Sequence, residues 1–303
     1  MNNIVNTKVK FVRNLSGVAF STKISSKTES DVLKLSLDAC NELGLKGESL
    51  SNISDTVLDQ LIVAGKLEPE FIKTVKNKGF IESKNASIQI NGINHIEIFS
   101  NNLDIFDAYR EAKQVDKLLC NKLHFSYNDK YGFLSPEIDK IGSGMQISII
   151  MLLPALNKMD AIKDLPKFSD KLRFNIRAID LQSGLYLIST GANLGYSEKQ
   201  ICELTNNYIQ NILKAEVEFS KTLATDELEI IDKNLRAKAI INSCAKISIN
   251  ELYGLVGDIL IAINSGLEKG VDSKHITKIL ECIKDIKSTS VNDLAKLIKG
   301  ILT

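Results

Sequence analysis

Short period-two runs alternate with longer amphipathic stretches along the first three quarters of the chain, and helical patterns alone follow. SIQIN at 87–91 and HIEIF at 95–99 alternate apolar and polar residues around Gly92, which predicts two paired antiparallel strands. Shorter alternations at 9–15, 124–127, 132–134, 171–179 and 184–189 predict further strands. Helical spacing covers 31–43, 57–67 and 103–123, the last placing Ile105, Ala108, Ala112, Val115, Leu118 and Leu119 on one face. Ser197 reads as the N-cap of a helix running to about 223. The apolar run at 147–156 predicts a buried helix opening from the turn Gly142-Ser143-Gly144.

From 226 the pattern changes. Four helical stretches succeed one another at 226–245, 249–267, 272–286 and 291–302, with Ser248 and Asp272 as starts and Gly266 and Gly270 as stops. Strands and helices mix in the first part without a regular βαβ alternation. The expected class is therefore α+β, with an antiparallel-sheet domain over 1–224 and a small all-α domain over 225–303. Within the latter, Leu252, Leu255, Val256, Ile259, Leu260 and Ile263 form an apolar stripe wider than a small bundle needs, which predicts self-association.

Composition narrows the function by exclusion. With 303 residues, 44% hydrophobic and 25% charged, and a net charge of +1, bulk electrostatics favour neither a nucleic-acid binder nor a membrane-surface protein. MNNIVNTKVKFVRN has no apolar core, and the run at 147–156 is broken by Ser148 and Pro154, far short of the ~20 residues a membrane span needs. A soluble, cytoplasmic protein is expected. Cys40, Cys120, Cys202, Cys244 and Cys282 lie far apart, as do His95, His124 and His275, so reduced thiols and no metal site are expected. Lysine greatly outnumbers arginine, which stands only at Arg13, Arg110, Arg173, Arg177 and Arg236. That bias matters for phosphate, which arginine holds bidentately and lysine only as a point charge.

Glycine-rich turns often cradle phosphate on backbone N–H groups. The turn at 142–144 has that shape, but the next polar side chain is Gln146, and a structural use of the glycines in close packing of the turn is the favoured reading.

KVKFVRNL near the start, the 91–98 segment, YGFL…IGSGMQISIIMLLPAL at 131–156 and ANLGYSEKQI at 192–201 occur in an order and spacing that resemble the guanidino (phosphagen) kinases, in particular the bacterial protein-arginine kinase branch. The resemblance covers about 7–302, and the C-terminal helices look like that branch's dimerisation region. It implies an ATP-Mg-dependent phosphotransferase fold, a homodimer or a heterodimer with a related arginine kinase, and a zinc-binding activator protein as a further partner.

The matching positions have lost most of the chemistry. Guanidinium phosphorylation needs a carboxylate base and a cation cage around the triphosphate. Where the family reads NEEDH, a hydrophobe and an arginine, this chain has Asn91, Gly92, Ile93, Asn94, His95, Ile96 and Glu97. Both acidic side chains ahead of the Asn94 position are missing, and Glu97 replaces a cage arginine. At an effective dielectric near 20, such a reversal about 4 Å from a phosphate charge is worth roughly 8 kcal/mol before screening. Lys8 and Lys10 replace two arginines of the early motif, Gln146 a third, and Glu137 falls on the family's substrate-side cysteine. The loop after Arg177 is shortened, and Arg177 alone matches a nucleotide-side arginine. Glu137 and Asp139 suit Mg²⁺ as chemistry, although solvated acids are the simpler reading. The expectation is a pseudokinase with no intact catalytic residue and no cofactor, Lys8, Lys10 and Arg177 being remnants of a nucleotide site. The alternative is an active protein-arginine kinase using ATP-Mg in a rearranged site.

Overall fold

Strand β1 (Ile4–Arg13) is the axis of the fold. Its burial alternates, so Val9 and Phe11 enter the core while Lys8 and Lys10 stay on the opposite face. β1 pairs with β5 (Ile96–Asn102) on one side and β8 (Met145–Leu152) on the other. Beyond β5 lie β4 (Ser87–Ile90), β3 (Gly79–Glu82) and β2 (Gly47–Ser49). Beyond β8 lie β11 (Leu185–Thr190), β10 (Leu172–Asp180) and β9 (Phe168–Ser169). The result is a nine-stranded, wholly antiparallel sheet in the order β2-β3-β4-β5-β1-β8-β11-β10-β9, beside a small hairpin of β6 (Tyr127–Asn128) and β7 (Gly132–Phe133). This computed structural model describes residues 3–20, 23–63, 66–84, 86–285 and 291–302.

Three long helices cover one face: α1 (Ser26–Glu42), α4 (Ile105–Cys120) and α6 (Glu198–Leu223). Val32, Ala108, Ala112, Leu119, Ile201 and Ile209 pack there against Phe11, Ile88, Ile98, Ile147, Ile149 and Phe174 of the strands. The expected antiparallel α+β fold is present, and its strands at 87–91 and 95–99 are neighbours in the sheet. At the β3–β4 end the opposite face is not bare. There α2 (Asp55–Val63) and α3 (Pro69–Ile72) form a small lobe, whose Leu50, Leu58, Leu67 and Phe71 gather around Phe80 of β3. Of the helix predicted at 57–67, residues 64 and 65 lie outside the described residues.

The buried helix expected at 147–156 is a strand. Residues Met145–Leu152 form β8, and only the five residues of α5 (Pro154–Lys158) are helical. An apolar run of this length fits either element, and the deciding signal was Gln146 and Ser148, two polar residues at alternate positions that face away from the core. Ile147, Ile149 and Ile150 add the β-branched side chains a pleated surface accommodates. Pro154 then starts a helix at its first position, where the missing N–H costs nothing.

The last helices are α7 (Glu227–Ser243), α8 (Ile249–Ser265), α9 (Ser273–Asp285) and α10 (Val291–Ile298). Ser197 caps α6 through a full capping box with Gln200, Ser248 caps α8, and Gly266 ends α8 in the left-handed region. Gly270 ends no helix; its N–H binds the Glu268 carboxylate in the following loop. Of the α8 stripe, Leu252, Val256, Ile259 and Leu260 are buried in a core shared with Val5, Leu152 and Leu185 of the strands, while Leu255 and Ile263 are partly buried against it.

Candidate functional site

Cross-strand partners share a face, so the register of the sheet writes out its open side. Lys10 of β1 stands between Phe99 and Gln146, and Lys8 between Asn101 and Ser148. One rung along, Val12 pairs with Glu97, which in turn pairs with Gln89 of β4. Ser148 leads through Ser189 to Asn175 on β10. The fold thus brings Lys8, Lys10, Glu97 and Gln146 together on one polar surface.

The lysines there are already occupied. Lys10 Nζ lies 2.9 Å from Glu97 Oε2 and 3.4 Å from Glu68 Oε1, while Lys8 Nζ lies 3.6 Å from the same Glu68 oxygen. Burial disfavours the charge on both ammonium groups. For Lys10 the two carboxylates outweigh burial and push its pKa up. Lys8, with Glu68 as its closest partner and Lys10 beside it, is held below the ordinary lysine value. For Glu68, burial opposes ionisation, but Lys10 and Lys8 prevail and hold its pKa down. Two cations thus face two anions.

A second convergence lies beside it. Asn94, fully buried, donates its amide to Glu137 Oε2 at 2.9 Å and to Glu97 Oε1 at 3.4 Å. Its own carbonyl accepts from Asn14 and Ser135, so the amide is fixed from behind. Gly92 and Ile93, the positions of the missing acids, sit at the edge: a Cβ on Gly92 would lie 3.5 Å from Glu97 Oε1, and Ile93 is exposed. A carboxylate restored at 92 would therefore meet another carboxylate. These groups line a cavity of about 520 Å³ whose walls carry Glu29, Glu68, Glu70, Glu97 and Glu137 against Lys10, Lys78 and Lys140. A larger groove of about 610 Å³, between α4 and α6, contains none of the motif residues.

Behind the open face the loop has a structural task. Arg13 is fully buried, with a bidentate pair to Asp116 at 2.8 and 2.9 Å and further bonds to the carbonyls of Val12 and Ser143. Its guanidinium lies over the Phe133 ring at 3.6 Å. Gly144 has φ +65°, and a Cβ there would meet Arg13 Nη1 at 2.4 Å and the Val12 carbonyl at 2.7 Å. Gly144 thus admits the buried arginine rather than a ligand phosphate, which carries the structural reading of the turn. His95 belongs to the same frame: its Nδ1 accepts from the Leu15 N–H and its Nε2 donates to the Ala19 carbonyl, a tautomer that keeps it neutral. Burial pulls its pKa down.

The remaining candidates are apart. Arg177 is exposed on β10, across β8 and β11 from the lysines, and does not line the cavity. Asp139 pairs with Lys140, and the described residues contain no cluster of three potential metal ligands. A triphosphate with its Mg²⁺ does not fit the residues present: the cations on β1 are neutralised, and Glu97 projects where positive charge is required. Sequence reasoning missed the parts played by Glu68 and Asn94. Glu68 lies outside every motif and had no sequence signal; Asn94 was visible inside the motif, but not as a bridge between two acids. Arg173 shares the outer face of β10 with Arg177, as their spacing of four on a strand allows.

Comparisons with known proteins bear on the family and the fold. The family described as ATP:guanido phosphotransferase, C-terminal catalytic domain, matches residues 27–219. A protein-arginine kinase of Halothermothrix orenii is 24% identical over 294 residues, covering 93% of this chain and 84% of its own length. One from Bacillus subtilis is 22% identical, covering 91% and 80%. Among solved structures, the duplicated taurocyamine kinase of Schistosoma mansoni with bound transition-state-analogue components superposes with a TM-score of 0.59 at 20% identity, over 71% of this chain and 33% of that one. Lombricine kinase gives 0.59 at 17%, over 70% and 66%. This chain thus corresponds to about a third of the first structure and two thirds of the second, and the likeness concerns the fold.

Proposed function

The chain belongs to the ATP:guanido phosphotransferase family, and from that premise we propose that it is a non-catalytic member, acting as a regulator or scaffold in protein-arginine phosphorylation. The observation that carries this is the Lys8–Glu68–Lys10–Glu97 lattice, in which the residues at three cage positions neutralise one another or, with Glu68, a carboxylate from the lobe. Transfer to a guanidinium requires a base and a set of uncommitted cations at the transferring phosphoryl group. Gly92 and Ile93 supply no base, and Glu97 opposes the charge that must be held. In place of catalysis, the chain would hold a partner or client protein without modifying it.

The competing reading, an active protein-arginine kinase with a rearranged site, draws support from the names of its relatives and from the convergence of Glu97 and Glu137 on Asn94. Titration calorimetry with ATP, with and without Mg²⁺, separates the two. No saturable heat at millimolar nucleotide is expected; binding that strengthens with Mg²⁺ would favour the kinase.

Assembly belongs to the same proposal. With most of the α8 stripe buried, the surface offered to a second copy or a related kinase is the exposed apolar pair on α7, Leu228 and Leu235, 80% and 56% exposed. The charges beside it are paired within the chain, Glu229 with Lys233, Asp232 with Arg236 and Lys238 with Glu268, so the apolar pair carries the proposal. Light scattering should give a dimer mass for the full chain and a monomer for Leu228→Glu/Leu235→Glu; a monomer for the unaltered chain would remove the homodimer. A zinc-binding activator remains part of the proposal, tested by co-purification with the chain.

A further inference from the structure

Glu68 comes from outside every motif of the family resemblance, and its position gives the lobe a task. It stands just before α3 and reaches back to the sheet, one carboxylate oxygen serving both Lys8 and Lys10. Both ammonium groups are within 3.6 Å of that atom, so they lie close enough to be bridged by a single oxyanion. On the sheet side the second anion is fixed: Glu97 belongs to β5 and is tied to Lys10 and Asn94. Glu68 is held differently. The lobe has its own apolar cluster, separate from the main core and seated on Phe80 of β3. The Glu68 side chain is 49% exposed, whereas the lysine side chains beneath are 19% and 16% exposed. Water reaches the cover more readily than what it covers, and a unit with a core of its own can open locally without unfolding the rest.

Resting on the reading of this site as one without nucleotide, we propose that the lobe is a lid and Glu68 an internal competitor: its carboxylate occupies an oxyanion position over Lys8 and Lys10, and lifting it opens a two-lysine site for a phosphate oxyanion. The charge count supports the direction of the effect. Closed, the lysines are balanced by Glu68 and Glu97; open, one positive charge is uncompensated and two ammonium groups face outward. A doubly charged oxyanion can bridge them, and Glu97 bars close approach of a longer polyanion from the β5 side. The lid thus regulates access to the site, and a partner that engages α2 or α3 controls it.

The test uses the full chain, titrated in a calorimeter at low ionic strength with inorganic pyrophosphate and, separately, with ATP in the absence of Mg²⁺. The unaltered protein should give no saturable heat with either. Glu68→Gln and Glu68→Ala should each bind pyrophosphate at least about tenfold more tightly than the unaltered chain. A gain for pyrophosphate equal to or larger than that for ATP supports the lid and its bar at Glu97, and a larger gain for ATP overturns that bar. No gain in either variant overturns it. Hydrogen exchange supplies the second readout: Glu68→Gln should speed amide exchange in α2 and α3 while leaving β1 and β8 unchanged, and unchanged exchange in the lobe overturns the lid even if anions bind. These outcomes are separate from the wider reading. Arginine phosphorylation by the unaltered chain would end the non-catalytic proposal, whereas silent Glu68 variants would end only the lid.

Discussion

Two charged systems lie back to back in this molecule and have been solved in opposite ways. Behind β1, Arg13 and Asp116 form a buried, bidentate pair with every neighbour in place: Gly144 leaves room for the guanidinium, Phe133 covers it, and Lys113 bridges Asp116 to Glu198. In front of β1, Lys8 and Lys10 face Glu68 and Glu97 beside a cavity, and of these four side chains only Glu68 is about half exposed. The first arrangement holds the strand and its loop in the family geometry. The second occupies the surface on which phosphoryl transfer would need unpaired cations. Scaffold and chemistry are separable here because they use opposite faces of one strand, and period-two alternation lets one face change while the other stays.

The comparison breaks first if the rear pair is dispensable. Asp116→Asn or Arg13→Leu leaves a buried charge without its partner, and the expected loss is about 3–5 kcal/mol in chemical denaturation. A loss near that of a surface pair would show that the frame does not depend on it. Glu216 sharpens the same side. This fully buried carboxylate of α6 accepts the N–H groups of Ala155 and Leu156, tying α6 to α5, and burial pushes its pKa up to about 7. Between its unfolded value near 4.5 and 7 the folded state binds the extra proton, so unfolding free energy should fall as pH rises through that window. The change is at most about 3 kcal/mol, at about 1.4 kcal/mol per unit. Glu216→Gln should flatten this part of the pH profile, and an unchanged profile would assign the dependence elsewhere.

Gly144→Ala comes next. The left-handed backbone and the collision with Arg13 should together cost about 2 kcal/mol by thermal or chemical melting. A cost no greater than the left-handed backbone alone imposes, roughly 1 kcal/mol, would show that Arg13 does not need the space. On the open face the binding effects are the more telling. Glu97→Arg with Gln146→Arg should recover some ATP affinity without turnover, because Gly92 and Ile93 still supply no base.

The fold was legible where local pattern and tertiary role agree. The alternation at 87–91 and 95–99, the capping box at Ser197 and the left-handed stop at Gly266 are each written in a few adjacent residues. The strand at 145–152 was misread as a helix because its polar positions are only two, and an apolar run that crosses the middle of a sheet carries little periodicity. The α8 stripe was assigned outward because its width was visible and its partners, Pro154 against Gly257 and the ends of β1, β8 and β11, were not. At the site, the loss of acids at 92 and 93 and the reversal at 97 were readable by position alone. The pairing that makes those changes coherent was not, because Glu68 reaches Lys8 and Lys10 across 58 or more positions of chain and through a lobe with no motif of its own.

The measurement that bears most directly on the central claim is phosphoarginine formation by the purified, unaltered chain. Incubated with ATP, Mg²⁺ and an arginine-rich protein, and read by mass spectrometry under conditions that preserve the P–N bond, it should give no phosphoarginine above an enzyme-free control. Robust ATP-dependent phosphoarginine, lost when Glu97 or Glu137 is replaced by glutamine, would contradict the account and assign those carboxylates to a working site.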